Sequence, residues 1–263
     1  MLGNFRENSL KVYFYVFIAV TYLPLLLLIL LSFNRARTPG FPLVGFTLEW
    51  WQRFFTSASA MNTVQNSFLI GSATAMISTA LGLLAAFALV RHFFRGKNLA
   101  NALVLLPLCL PPVVVAVGAL VFLRTVLDLE LSRLTIILGH TLLALPFTTL
   151  VLIARLIGFD RTLEEAAYDL GANEFTTFRK ITLPIIMPGI FVALMMGFII
   201  SFEDVVVAYF LSGFDTTIPV LVFGLQRRAT GLPMVTVISA FMVFIMVVFL
   251  IVSLVWARRV ANN

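Results

Sequence analysis

Runs of about twenty apolar residues recur along this chain, roughly at 12–31, 64–90, 102–123, 134–154, 185–211 and 234–256. The hydrocarbon core of a bilayer is about 30 Å thick, a distance that an α-helix covers in about 20 residues. No water reaches that core to satisfy backbone amides, so a chain built from such runs is confined to spanning helices. The expectation is an all-α polytopic membrane protein with six transmembrane helices, forming one membrane domain over residues 1–263. Charged residues make up only 11% of the chain, against about 25% in soluble domains. The second and fifth runs are longer than a bilayer requires, so they tilt or their ends leave it. The first run follows basic residues as a secretory signal does, but it exceeds the roughly 7–15 apolar residues of such a signal and reads as a retained helix.

The net charge of +6 would raise a nucleic-acid reading in a soluble protein. Here the basic residues stand at the ends of apolar runs, where they act as topology signals. Arg6, Lys11, Arg91, Arg95, Lys97, Arg155, Arg161, Arg179, Lys180, Arg258 and Arg259 fall on one side. Arg35, Arg37, Arg53, Arg124, Arg133, Arg227 and Arg228 fall on the other. The richer side is expected to be cytoplasmic, which places both termini and the segment 155–184 there. Cys109 has no second cysteine to pair with and reads as a small packing residue. His92 and His140 do not make a metal site, and His140, within the fourth run, reads as a hydrogen-bonded packing residue rather than a substrate contact.

Trp50 and Trp51 lie in an outer segment broken by Gly40, Pro42 and Gly45. They suit a short amphipathic piece in an interfacial aromatic belt, with contact to an external partner as the alternative. Pro107, Pro111 and Pro112 permit a kink early in the third run. Such a kink lines a transport path in some proteins and is ordinary membrane-helix proline in others.

Two features carry chemistry. The first is the polar island 160–184. Asp160 or Thr162 can cap a helix whose first turn holds Glu164 and Glu165. Leu163, Ala166, Ala167 and Leu170 fall on about one face, Gly171 interrupts, and a second short helix is expected over about Glu174 to Thr182, with Phe175, Phe178 and Ile181 beside Arg179 and Lys180. Pro184 marks the start of the fifth span. Two short helices joined at a glycine, with aromatic residues beside charge, suit docking of a protein partner. The second feature is Glu203-Asp204, about eight residues from the outer end of the fifth run and so roughly 12 Å deep. A carboxylate in lipid costs at least about 2.5 kcal/mol, so such acids face a bundle interior or an aqueous path and pair with cations. Phe202 and Tyr209 are the neighbouring rings for a cationic ligand. Adjacent helix positions diverge by about 100°, so the two acids cannot both point straight at one ligand, and one is free to face the path while the other fixes a helix contact. Interhelical hydrogen bonding or a salt bridge to a partner is the alternative. Asp215 stands near the outer mouth, as a guide for a cation, a contact for an external protein or a solvated surface group.

The spacing Glu165-Ala166-Ala167, three residues, Gly171, nine residues, Ile181, then Leu183-Pro184 resembles the signature loop of ABC importer permeases. The resemblance implies the type I importer permease fold, with 155–184 as the coupling loop. Glu164, Glu165, Ala166, Ala167, Gly171, Phe175, Phe178, Ile181, Leu183 and Pro184 would then meet an ATPase subunit. It also implies partners: two ATPase subunits that carry ATP and Mg, a second homologous permease, and an external binding protein. The chain itself would hold no cofactor, metal or catalytic residue, and its surroundings would be the lipid of a bacterial inner membrane, not nucleic acid. The segments YFYVFIAVTYLPLLLLILLSFN, FRGK at 94–97 and SFEDVVVAYFLSG at 201–213 resemble the spermidine/putrescine branch, in its shorter C-type subunit. That branch often carries two aspartates where this chain has Glu203-Asp204. Permeases for ferric ion, thiamine or phosphonates share much of the architecture.

Two other classes compete. A secondary transporter needs coupling-ion machinery and paired broken helices, and no inverted repeat stands out. An intramembrane enzyme needs a motif such as HExxH, and none occurs. The chain also has no GxxxxGK[ST] loop, so ATP is expected on another chain.

Overall fold

The computed structural model of the protein describes residues 2–38, 40–228 and 231–261, without the side chains of residues 2–9, 254 and 257–261. The topology markers Arg6, Arg258 and Arg259 and the residues Met1, Asn262 and Asn263 therefore lie outside the described side chains. The described residues form helices: α1 (Leu2–Leu31), α2 (Glu49–Thr56), α3 (Ala58–Arg91), α4 (Lys97–Cys109), α5 (Pro112–Val121), α6 (Arg133–Ile157), α7 (Thr162–Asp169), α8 (Glu174–Thr177), α9 (Leu183–Glu203), α10 (Val206–Leu211), α11 (Ile218–Gln226) and α12 (Leu232–Ala261). A π-helical turn, Phe122–Val126, extends α5, and another, Phe178–Thr182, joins α8 to α9. The protein is an all-α, polytopic membrane protein. Five helices are long and apolar enough to cross a bilayer, and a bent pair makes a sixth when counted as one span.

Two of the expected spans are not continuous. The third run divides into α4 and α5, which meet at 110°. The cause is local. Pro111 and Pro112 follow one another without N–H groups, and Leu110 adopts φ −96°, ψ 139°, the extended conformation favoured before proline. Pro112 then opens α5, where its missing donor costs nothing. The fifth run ends at Glu203, where Asp204 turns extended at φ −69°, ψ 127°, and the chain restarts as α10. At its other end, the second helix of the polar island does not stop before the span. It runs through the π turn, giving one 30-residue helix, Glu174–Glu203.

The chain divides into two compact units, 62–221 with 249–263 and 1–61 with 222–248. In the larger unit, small residues let helices approach closely, the usual device where lipid supplies no hydrophobic drive between helices. A Cβ on Gly197 of α9 would lie 2.8 Å from Ser78 Oγ and 3.0 Å from Ala75 Cα of α3. Thr148 of α6 donates to the Ser78 carbonyl at 2.9 Å. Ile70, Ile136, Val207 and Leu211 centre one buried cluster, and Ala86, Leu152, Leu156 and Ile186 a second. Gly197→Leu is expected to force α3 and α9 apart at a cost of about 1–3 kcal/mol, as overpacking does. Melting of the detergent-solubilised protein, at lower temperature than wild type, checks it.

In the smaller unit, α2 is held by an ion pair between Arg53 and Glu49 at 2.5 Å, one turn apart, and by Phe54 against Phe241 at 5.1 Å. Trp51 stacks with Phe33 and Phe55. The stretch Leu10–Leu26 of α1 is apolar and uncovered around most of its circumference, a surface that suits lipid or another protein.

Candidate functional site

The two helix breaks converge. Pro107, Leu108, Leu110 and Pro112 from the α4–α5 bend, Leu143 and Phe147 from α6, and Ile200, Glu203, Asp204 and Val205 at the α9–α10 break line a cavity of about 480 Å³. Glu203 and Asp204 both line it. The extended conformation of Asp204 removes the 100° separation expected of a continuous helix, and adjacent acids share one cavity as a result. Their surroundings differ. Glu203 is exposed and has no hydrogen bond or ion pair among the described residues. The Asp204 side chain is 13% exposed, and its Oδ1 accepts from the backbone N–H of Val207 at 2.8 Å and of Ala208 at 3.1 Å. Those are donors that the first turn of α10 would otherwise leave unsatisfied.

Beneath the acids lies a polar chain that sequence reasoning passed over. His140 of α6 is fully buried, with Nδ1 2.7 Å from Ser201 Oγ and Nε2 3.3 Å from Asp204 Oδ1. Ser201 in turn donates to Thr74 Oγ1 of α3 at 3.4 Å. The packing role read for His140 is present, but its partner across the helix break was not foreseen. The available signal was that His140 is an ionisable residue deep inside a spanning run, which by itself points to a function.

The other residues expected on the path stand elsewhere. Phe202 is 1% exposed and packs against Phe68 and Phe198. Tyr209 is half-exposed on α10, beside Phe210. Asp215 pairs with Arg133 at 2.9 Å.

The polar island forms a hairpin of one short helix, α7, and the first turns of the 30-residue helix Glu174–Glu203, not of two short helices. Asp160 accepts from the backbone N–H and the hydroxyl of Thr162, and both bonds hold its carboxyl below the usual carboxylate range. Gly171 ends α7 at φ +85°, with Ala172 N–H on the Ala167 carbonyl at 3.0 Å and Gly171 N–H on that of Tyr168 at 2.9 Å. This is the glycine-terminated helix end that satisfies the last carbonyls. The Asn173 side chain caps α8 by accepting from Thr176 N–H at 2.8 Å.

The hairpin has two faces. Turned inward, Glu164 accepts from both terminal nitrogens of Arg91 at 2.8 and 3.2 Å and from the Thr182 hydroxyl at 2.5 Å. The pair is mostly enclosed, with side chains 12% and 15% exposed, and Arg91 also lies 4.9 Å over the Phe159 ring. Ala167 is buried, Phe178 is half-buried against Phe87 at 5.8 Å, and Ile181 packs on the second buried cluster. Leu183 is half-buried and Pro184 exposed, both in the first turn of α9. Turned outward are Glu165, Ala166 and Gly171, with Leu170 90% and Phe175 70% exposed. The sequence pattern grouped all ten residues as one contact surface. The structure separates those that hold the hairpin to the span ends from those that remain uncovered.

Five helices able to cross a bilayer, with a bent pair as a sixth span, a glycine-hinged hairpin and a cavity at helix breaks fit a membrane permease. Residues 78–261 match the family model described as the binding-protein-dependent transport system inner membrane component, and the chain belongs to that family. It is 33% identical over 252 residues to the spermidine/putrescine transport system permease protein PotC of Haemophilus influenzae, covering 95% of this chain and 96% of that one. It is 33% identical over 217 residues to the putrescine transport system permease protein PotI of Escherichia coli, covering 80% and 77%. The fold matches a chain in the crystal structure of a bacterial ABC transporter that imports the acidic polysaccharide alginate, with TM-score 0.74, 17% identity and 98% coverage of both chains. The chain is thus a permease subunit of an ABC import system, not itself catalytic, which works with separate ATP-hydrolysing subunits and a binding protein.

Proposed function

We propose that the chain forms half of the translocation path for polyamines, spermidine or putrescine, delivered by an external binding protein. The observation that carries the reading is the membrane-depth cavity into which an exposed, unpartnered carboxylate, Glu203, opens, with no lysine or arginine in its described lining. Leaving such a charge uncompensated at that depth is costly, and a cargo ammonium compensates it. Flexible polycations present one ammonium at a time to such a site. The likeness to PotC and PotI supports the same cargo class.

Two copies of an ATPase subunit dock on the outward residues of the hairpin, Glu165, Leu170 and Phe175 among them. Glu164 and Arg91 carry their motion to α3 and α9. A second, homologous permease completes the path. The excess of basic residues around 91–97 and 155–180 supports a cytoplasmic position for the hairpin and both termini. The reading is tested by an intact mass spectrum of the complex purified from its native membrane. Two ATPases, a second permease and a bound polyamine are expected. Two copies of this chain, or a different retained solute, would overturn the polyamine assignment while keeping the family.

A further inference from the structure

Resting on the polyamine reading, we infer that the two adjacent acids have separate roles: Glu203 supplies the charge that meets the cargo, while Asp204 is a positioning residue, locked by His140 and by the start of α10. Three observations converge. Asp204 Oδ1 already accepts two backbone N–H groups, from Val207 and Ala208. His140 Nε2, buried and with no hydrogen-bond partner among the described residues, stands 3.3 Å from the same oxygen. Glu203, one residue earlier, lines the same cavity with its carboxylate uncommitted.

The geometry gives His140 a defined task. Its Nδ1 is held by Ser201 of α9, which is tied to Thr74 of α3, so the imidazole is fixed from behind and presents Nε2 to the break. Three helices are thereby tied to the point where α9 stops and α10 begins. The break lets Glu203 end α9 facing the cavity, and the lock on Asp204 keeps the break in register. The role of Asp204 needs an acceptor oxygen, which asparagine also offers with comparable capping strength. The role of Glu203 needs a negative charge, which glutamine lacks.

The test is uptake of radiolabelled putrescine by the reconstituted complex with saturating ATP, read as half-saturating concentration and maximal rate, with complex yield by size exclusion. Asp204→Asn is expected to stay within about 3-fold of the wild-type half-saturating concentration, where Glu203→Gln raises it at least about 10-fold. His140→Leu is expected to raise it about 10-fold at unchanged yield, and His140→Gln, which restores a polar side chain facing Asp204, to recover most of that loss. Asp204→Asn losing affinity as Glu203→Gln does would overturn the division of roles. His140→Leu behaving as wild type would overturn the positioning role. If His140→Leu does not assemble, Ser201→Ala, which frees the imidazole but leaves it in place, decides the same point through an intermediate rise or none. A wild-type complex that transports no polyamine would instead bring down the cargo reading, and this inference with it.

Discussion

Replacing Glu164 by alanine is expected to reduce ATP-driven uptake at least about 10-fold while the complex still hydrolyses ATP. Glu164 is the only described side chain paired with Arg91, and the pair is mostly withdrawn from water. Removing one member of a buried pair costs about 3–5 kcal/mol, and the partial exposure of this one places it toward the lower end. The same carboxylate accepts from Thr182. A single substitution therefore detaches α7 from the end of α3 and from the turn that leads into α9. Motion imposed on the hairpin would then be absorbed locally. The measurement is the ratio of solute transported to ATP hydrolysed in proteoliposomes. Replacing both Glu164 and Arg91 by leucine removes the orphaned charge and is expected to recover part of the ratio, so the two single effects should not add. A Glu165→Ala variant separates the faces of the hairpin: Glu165 is exposed, so its loss is expected to weaken ATPase association without loosening the hairpin.

Glu203→Gln carries the second large effect. It keeps the shape and removes the charge. A charge-assisted contact contributes about 1.5–3 kcal/mol, which corresponds to roughly 10- to 100-fold in affinity. The half-saturating polyamine concentration should rise by that factor while the amount of assembled complex stays unchanged, because Glu203 has no partner among the described residues whose loss would unsettle the fold. Glu203→Asp retains the charge on a shorter arm and should show a smaller rise.

Much of this architecture was legible in the sequence because a bilayer imposes its thickness on every span. The runs at 64–90 and 134–154 became α3 and α6 with ends shifted by a few residues. The hairpin was legible for a different reason: Gly171 and the cap residues are local chemistry, and local hydrogen bonds decide them. The breaks were not legible. The dips in hydropathy at Pro111-Pro112 and at Glu203-Asp204 are only two residues long within otherwise apolar runs, so both runs read as continuous, and proline allows anything from a gentle kink to the 110° bend found. Helix α11, at nine residues, is too short to register as a span from hydropathy. The inward position of Glu164 and Phe178 depends on Arg91 and Phe87, some 73 to 91 residues away in sequence. Pairing across that distance leaves no trace in a single chain. The same holds for His140, whose partners Ser201 and Asp204 come from another helix.

The central claim is that this permease moves polyamines on ATP energy. The most direct measurement is accumulation of radiolabelled spermidine and putrescine in proteoliposomes holding the complete complex, with external binding protein present, and with ATP or a non-hydrolysable analogue inside. Accumulation against a gradient with ATP only, abolished by omitting the binding protein and competed by unlabelled polyamine, is the predicted result. Accumulation of another solute with no competition by polyamines, or uptake indifferent to ATP, would contradict it.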